Sequence, residues 1–241
     1  MGQATRKRLR QGPTYPATLY NVVTGRSSVD PVRRAELWPV PVEAEPVSLG
    51  RRARKKLEVR QRILDAAATL FATQGLVPTT VDQIAELADV SQTTFFNYFA
   101  TKTGLIDAFI GDLVVLFDRI LDRAQETEEP VVQTVHVLFH VSADLTEVQH
   151  RMLRDLIAET ARTSTPSARA SLEHMRRRFG DCLAAGQSSG EVRTDRDAAI
   201  LADAVLGLYI AVFLFWTTDA DYPVAQRLRD STELAMGLLA T

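Results

Sequence analysis

Six polar side chains fall within eight consecutive residues of this chain, and their chemistry suits hydrogen bonding to double-stranded DNA. They are Ser91, Gln92, Thr93, Thr94, Asn97 and Tyr98. Amide side chains pair with the exposed edge of adenine, and hydroxyl groups bond to bases or to phosphates. The residue types and their crowding therefore indicate a nucleic-acid contact surface.

Two short helices joined by a tight turn are predicted to position these side chains. Thr80 is a favourable N-cap, and Gln83 can close a capping box with it. A turn over residues 88–90 leads to Ser91, which is predicted to cap the second helix. A second helix rich in short polar groups is typical of a DNA-reading helix-turn-helix. Two aromatic residues of this region are assigned to the core of the small domain: Phe95 and Phe99.

A helix with a strongly basic start is predicted before the helix-turn-helix. Apolar residues recur at helical spacing over residues 51–73, and Gly75 follows where a helix end favours a left-handed residue. The first 60 residues contain 13 Lys and Arg against five Asp and Glu, while the rest contain 15 against 25. The basic side chains could neutralise phosphates or enter a minor groove, with a solvated helix end as the alternative. The proposed contacts are Arg52, Arg54 and Lys55.

Three sequence patterns at fixed spacing carry a resemblance to a known family. They are R-x-x-I-L-x-A-A-x-x-L-F-x-x-x-G from Arg60, T-T-V-x-x-I-A-x-x-A-x-V-S from Thr79 and T-F-F-x-Y-F-x-x-K-x-x-L from Thr94. Together they resemble the N-terminal DNA-binding domain of the TetR family of transcriptional repressors, from Arg60 to about Leu105. The resemblance implies that these residues lie at or near DNA: Thr80, Ser91, Gln92, Thr93, Thr94, Asn97, Tyr98 and Lys102.

The resemblance also implies a fold and a set of partners for the whole chain. The implied fold class is all-α, with a three-helix DNA-binding domain over residues 51–101 and a larger ligand-binding and dimerisation domain over residues 102–241. Family members are homodimers, and two-fold pairing matches a pseudo-palindromic operator in double-stranded DNA. The function that follows is a transcriptional repressor released from its operator by a small-molecule effector.

Three positions depart from the pattern of the family. Asp89 stands in the turn where Gly is usual, and Asp tolerates the left-handed region better than most residues. Thr93 and Phe96 stand where Gly and Tyr are common. Phe96 cannot donate a phenolic hydrogen bond, so within the DNA-contact set we expect a packing role for it. Thr93 adds a side chain that could touch a thymine methyl or a phosphate.

Residues 1–50 are predicted to be a disordered extension. They hold six of the ten prolines and show no sustained helical or strand period. The basic cluster at residues 6–10 could touch phosphates or remain a solvated tail, and an over-extended start is a further alternative.

Six helices are predicted for the second half of the chain. A long helix over residues 101–123 ends before a break at 128–130, and others span 131–143, 147–162 and 167–188. Residues 198–216 contain Asp203 as their one charged side chain and are almost long enough to cross a membrane. Because of that internal charge and the lack of a flanking basic cluster, we expect no membrane contact. A dimer helix is predicted instead, with residues 224–240 as a second one.

The resemblance implies an effector pocket in this half, and ten residues are candidates for its lining: Phe109, Phe117, His136, Phe139, His140, Leu153, Ile157, Met175, Phe179 and Trp216. Each could equally belong to the core. Their apolar character favours a hydrophobic or amphipathic effector. His136 and His140 have the i, i+4 spacing of a metal pair, but no third ligand is evident, so no metal site and no cofactor are expected.

Other function classes find less support in the sequence. No glycine-rich phosphate loop, nucleophile elbow or paired metal motif is present, so we do not expect an enzyme. A DNA-binding architectural protein without an effector stays an alternative. The single cysteine, Cys182, fits a reducing compartment, and the absence of a secretion signal favours a cytoplasmic location.

Overall fold

Nine α-helices and no strand make up residues 51–240, the part of the chain that this computed structural model describes. In order they are α1 (Arg51–Gln74), α2 (Val81–Leu87), α3 (Gln92–Tyr98), α4 (Lys102–Glu126), α5 (Val131–Val148), α6 (His150–Thr163), α7 (Pro166–Ser189), α8 (Ala198–Thr218) and α9 (Val224–Leu239). The all-α prediction is confirmed. The extension predicted for residues 1–50 lies outside the described residues.

Local backbone chemistry sets the ends of the first three helices as predicted. Gly75 follows α1 with φ of 92°, and Asp89 adopts φ of 53° in the turn between α2 and α3. The Thr80 hydroxyl accepts from the amide of Gln83, whose side chain in turn accepts from the amide of Thr80. The Ser91 hydroxyl accepts from the amide of Thr94 at 3.0 Å. The predicted capping box and the predicted N-cap are therefore confirmed.

The hydrophobic core of α1 to α3 is built on buried apolar side chains from each helix. Phe95 is fully buried and Phe99 almost so, with their ring centroids 5.9 Å apart. Both residues thus occupy the core positions predicted for them. Ile63, Phe71 and Ile84 are also fully buried.

Helix α5 is longer than the sequence indicates. A break was predicted at residues 144–146, and this prediction is wrong, because α5 continues to Val148. Asp144 accepts from Arg229 of α9 at 2.8 Å, and Thr146 is buried with its hydroxyl bonded to the carbonyl of Ala143. These contacts outweigh the weak helix propensities of Asp and Thr. The break predicted at residues 163–166 is present, with Ser164 in the left-handed region.

Helices α8 and α9 pack against the rest of the C-terminal half. Helix α9 lies along α5, and α8 contacts α6, α7 and α9. By length and composition α8 could cross a membrane, since the mean hydropathy of its most apolar 18 residues is 2.3. Only 28% of that stretch is buried inside the protein. Its outward face carries Ile200 and Phe215, both exposed.

Candidate DNA interface and effector cavity

Helix α3 presents a row of open side chains to solvent. Gln92, Thr93 and Asn97 are exposed, whereas Thr94 and Tyr98 are half-buried. The Ser91 and Thr94 hydroxyls share a hydrogen bond of 2.9 Å, which turns both toward the helix start. The exposed amides and the Thr93 hydroxyl are thus the groups most accessible to a base edge.

Two side chains of α3 have surroundings that the sequence did not predict: Phe96 is more exposed than expected, and Gln92 makes a hydrogen bond to α2. Phe96 was expected to pack, but 48% of it is exposed, and its ring meets Phe95 edge-on at 5.5 Å. Because Phe95 fills the core position, Phe96 one residue later turns outward. The Gln92 side chain donates to the carboxylate of Asp82 on α2, which orients its amide.

The basic side chains Arg52, Arg54 and Lys55 lie exposed on the first turns of α1. Arg54 is 3.9 Å from Glu58, an exposed pair of little energetic weight. The basic segment is therefore helical and continuous with the core-forming part of α1. Thr80, at the start of α2, is also exposed while its hydroxyl serves as the cap.

Lys102 has a role that the sequence did not indicate. Its ammonium donates to the carbonyl oxygens of Leu76 and of Thr79, the latter at 2.7 Å. Desolvation lowers the pKa of Lys102. The side chain thus ties the loop after α1 to α4. Its place at or near DNA stays a prediction.

Helices α4 to α8 surround a cavity of about 220 Å³. Sixteen of its twenty lining residues are apolar, and within the described part of the chain no charged side chain lines it. The polar members are Ser142, Thr146, Ser171 and Tyr209. Such a wall suits a hydrophobic ligand.

Helix α6 connects this cavity with the C-terminal end of α1. Leu153 and Ile157 line the cavity. From the same helix, Arg151 donates to the carbonyls of Thr73 and Gln74 at 3.0 and 2.9 Å. Asp155 accepts from the amide of Leu76 at 3.0 Å. We call Arg151 and Asp155 the α6 latch. The cationic Arg151 binds the last carbonyls of α1, where positive charge is favoured, and Asp155 binds the amide of Leu76 just after the helix.

Comparison with known proteins shows which family this helical architecture resembles. Residues 63–109 match the family described as "Bacterial regulatory proteins, tetR family". The HTH-type transcriptional regulator YhgD of Bacillus subtilis is 28% identical over 167 residues, which cover 68% of this chain and 84% of the relative. The chain belongs to the TetR family. It is a DNA-binding transcriptional regulator, and proteins of this family generally have no enzymatic activity.

Further relatives of this TetR-family regulator are named as repressors. The HTH-type transcriptional repressor KstR2 of Mycobacterium tuberculosis is 29% identical over 147 residues, covering 59% of this chain and 73% of the relative. The repressor FadR of Thermus thermophilus, solved with lauroyl-CoA, has a TM-score of 0.60 and 26% identity over 73% of this chain and 93% of its own. SmeT of Stenotrophomonas maltophilia, at 17% identity and a TM-score of 0.62, shares the fold over 76% of this chain and 93% of its own.

The structure divides the ten predicted cavity residues of this TetR-family chain into two groups. Phe117, Leu153, Ile157 and Met175 line the cavity. The other six lie outside its wall: Phe109, His136, Phe139, His140, Phe179 and Trp216. Phe109 instead meets Phe71 of α1 at 5.8 Å, and the Trp216 indole donates to His150 at 3.2 Å.

The two histidines of α5 stack on each other with ring centroids 4.0 Å apart. Burial lowers the pKa of His136 to about 4 and also lowers the pKa of His140. Both rings are therefore neutral near pH 7. Among residues 51–240, no group of three His, Cys, Asp or Glu side chains is arranged to hold a metal ion.

The hydroxyl pair of the cavity escaped the sequence prediction. The Tyr209 hydroxyl lies 2.7 Å from the Ser142 hydroxyl, which in turn donates to the carbonyl of Leu138 at 2.8 Å. Burial raises the pKa of Tyr209 to about 12, so the phenol keeps its proton. A signal was present in the sequence, since Tyr209 is a polar residue within the most apolar helix, α8, and Ser142 lies among apolar residues of α5.

Proposed function

We propose that this TetR-family regulator is a repressor that binds its operator as a homodimer and is released when a small hydrophobic or amphipathic effector enters the cavity. The observation that carries the proposal is the position of α6, which lines the cavity and caps α1. The relatives named as repressors, and the FadR structure with lauroyl-CoA, support it.

Two functional units follow from this proposal. Residues 51–101 form the DNA-binding unit, and residues 102–241 the unit for effector binding and dimerisation. A ligand that displaces Leu153 and Ile157 shifts α6, and with it the end of α1 held by the α6 latch. A coupling free energy of about 1–3 kcal/mol between the two sites is enough for regulation. An open cavity also favours this function over an architectural DNA-binding protein with a collapsed core.

The dimer is proposed to form through α8 and α9. Their outward faces carry Ile200, Phe215 and Leu234, each about 60% exposed, in a stripe that a second copy would cover. A membrane span explains the inward face poorly, because α8 packs on α6, α7 and α9 and because Asp203 pairs with Arg176 at 2.7 Å. We therefore infer a protein in the cytoplasm, beside its DNA.

Each subunit of the dimer would place its α3 in a major groove of a pseudo-palindromic operator. Gln92, Thr93 and Asn97 are the proposed base readers, and Phe96 offers an apolar edge to a thymine methyl. The remaining residues are assigned to the phosphate backbone: Arg52, Arg54, Lys55, Thr80, Ser91, Thr94 and Tyr98. Lys102 would support this surface by fixing the loop after α1.

Selection of bound DNA from a random pool tests the first half of the proposal. We expect a palindromic consensus, and light scattering of the free protein should give the mass of a dimer. A monomer at micromolar concentration, or selected DNA without two half-sites, would count against the dimeric reader.

A gel-shift titration with a ligand shown to bind the cavity tests the second half. We expect operator affinity to fall as the cavity fills. A ligand that occupies the cavity and leaves operator affinity unchanged would reject effector control while leaving DNA binding in place.

A further inference from the structure

We propose that the cavity selects a compact, uncharged, largely apolar molecule that carries one hydroxyl group, and that the oxygen of Tyr209 receives the proton of that group. The inference rests on the proposed effector function and specifies which class of molecule the cavity takes. It assigns selectivity to the pair formed by Tyr209 and Ser142, one residue from α8 and one from α5.

The size of the cavity limits the size of its ligand. Pockets for drug-sized molecules commonly hold about 300–1,000 Å³, and this one holds about 220 Å³. A water molecule takes about 30 Å³ in the liquid, so the ligand has on the order of ten non-hydrogen atoms.

The electrostatics of the wall exclude an ionised ligand. No charged side chain of the described residues lines the cavity, so a carboxylate or a phosphate would be buried without a counter-charge. Burying an unpaired charge is strongly unfavourable. The coenzyme A phosphates of an acyl thioester would therefore find no cation in this wall.

The hydrogen bonds of Ser142 decide which polar group fits beside the hydroxyl of Tyr209. Ser142 is buried, and its single proton goes to the carbonyl of Leu138 at 2.8 Å. Its oxygen then accepts the proton of Tyr209, 2.7 Å away. In this arrangement the Tyr209 oxygen keeps lone pairs but offers no proton to the cavity. A hydroxyl can donate to it, whereas a ketone cannot.

The ring of Tyr209 is held in place independently of its hydroxyl. Its centroid lies 5.3 Å from that of Phe139 and 5.0 Å from that of Phe213, in edge-on contacts. A Tyr209→Phe substitution therefore removes the polar group and preserves the packing. Tyr222 lies outside the cavity against Phe215, so Tyr222→Phe makes the same chemical change at a neutral position.

Isothermal titration calorimetry of the full chain, without DNA, tests the inference. The four probes share one carbon skeleton: 4-phenylbutan-2-ol (phenylbutanol below), benzylacetone, butylbenzene and 4-phenylbutyrate (phenylbutyrate below). We expect phenylbutanol to bind about fivefold tighter than its ketone analogue benzylacetone, as one hydrogen bond allows. Phenylbutyrate should bind weakest. Tyr209→Phe should weaken phenylbutanol about fivefold and leave butylbenzene unchanged, and Tyr222→Phe should change neither.

A second variant keeps the test decisive if Tyr209→Phe does not fold. Ser142→Ala frees the proton of Tyr209 to point into the cavity, so benzylacetone should gain affinity relative to phenylbutanol. The inference is overturned if phenylbutanol does not bind at millimolar concentration, if benzylacetone or phenylbutyrate binds tighter to the unaltered chain, or if both variants leave the ratio unchanged. Tighter binding of lauroyl-CoA would also overturn it. None of these outcomes tests whether an effector controls DNA binding, because the gel shift measures that separately.

Discussion

The guanidinium of Arg151 lies 3.0 Å from the carbonyl oxygen of Thr73, although the two residues are 78 positions apart in the chain. A second donor of the same group reaches Gln74. A side chain from a cavity-lining helix thus caps the last turn of the first helix of the DNA-binding domain. This contact makes the route from ligand to DNA testable at a single residue.

Arg151→Met should uncouple the two sites. The substitution removes both hydrogen bonds to α1 and keeps the length of the side chain, so we expect ligand binding to persist. The ratio of operator affinities without and with ligand should fall about fivefold, equivalent to about 1 kcal/mol of coupling. Gel shifts with and without a cavity ligand measure that ratio. Arg162→Met, an exposed residue of the same helix whose guanidinium pairs with Glu159 and not with α1, is the matched control. An unchanged ratio in Arg151→Met would assign coupling to another contact.

Asn97→Ala and Arg54→Ala should weaken DNA binding in different ways. Loss of a base-reading amide costs about 1–3 kcal/mol and relaxes preference at one base pair. Loss of a phosphate contact weakens binding to all sequences alike and reduces the slope of log affinity against log salt by about 1. Gel shifts on the selected operator and its single-base variants, at several salt concentrations, separate the two effects. The assignments would be reversed if Arg54→Ala altered base preference and Asn97→Ala did not.

Leu234→Glu should convert the dimer to monomers. Leu234 is 64% exposed on α9, and a carboxylate buried in an apolar interface costs at least about 2 kcal/mol. We expect the mass from light scattering to halve while the helical circular dichroism is retained. Val77→Glu places the same charge at another exposed apolar residue, far in sequence from α8 and α9, and should leave the mass unchanged. A Leu234→Glu protein that stayed dimeric would move the interface elsewhere.

Stability should fall as the pH drops from about 6.5 toward 4. The pKa of His136 is about 4 in the folded chain because burial disfavours its charged form, with His140 stacked beside it. Over this pH range the unfolded chain binds the proton and the folded chain does not, so acid favours unfolding. We expect a loss of about 1–2 kcal/mol in the free energy of unfolding, allowing for solvent screening. Urea titrations at pH 7 and pH 5 measure it. His136→Gln should reduce the pH dependence, and an equal dependence in that variant would point to other groups.

Features determined by neighbouring residues could be predicted from the sequence. The caps at Thr80 and Ser91 and the turn at Asp89 depend on contacts within four residues, and all three are present as predicted. Contacts between distant residues could not be predicted. The continuity of α5 depends partly on Arg229, 85 residues beyond Asp144. Likewise, Tyr209 and Ser142 meet across 67 residues.

The cavity prediction shows the same limit. Large apolar side chains identify the core as a whole, but only the packing of five helices decides which of them border an opening. Phe109 and Met175 have similar hydrophobic character, yet Phe109 packs on α1 and Met175 lines the cavity. The same limit applies to the charged side chain of Lys102. It binds the backbone carbonyls of Leu76 and Thr79, and no sequence pattern predicts those partners.

Helix α8 has one further consequence. Tyr209 and Phe213 face the cavity, while Phe215 and Ile200 face outward onto the surface proposed to pair with a second subunit. A single rigid element thus separates the ligand from the partner by the width of one helix. By thermodynamic reciprocity, whatever factor ligand occupancy applies to subunit affinity, subunit pairing applies to ligand affinity. Where that factor differs from 1, ligand affinity in this protein depends on protein concentration near the dimer dissociation constant.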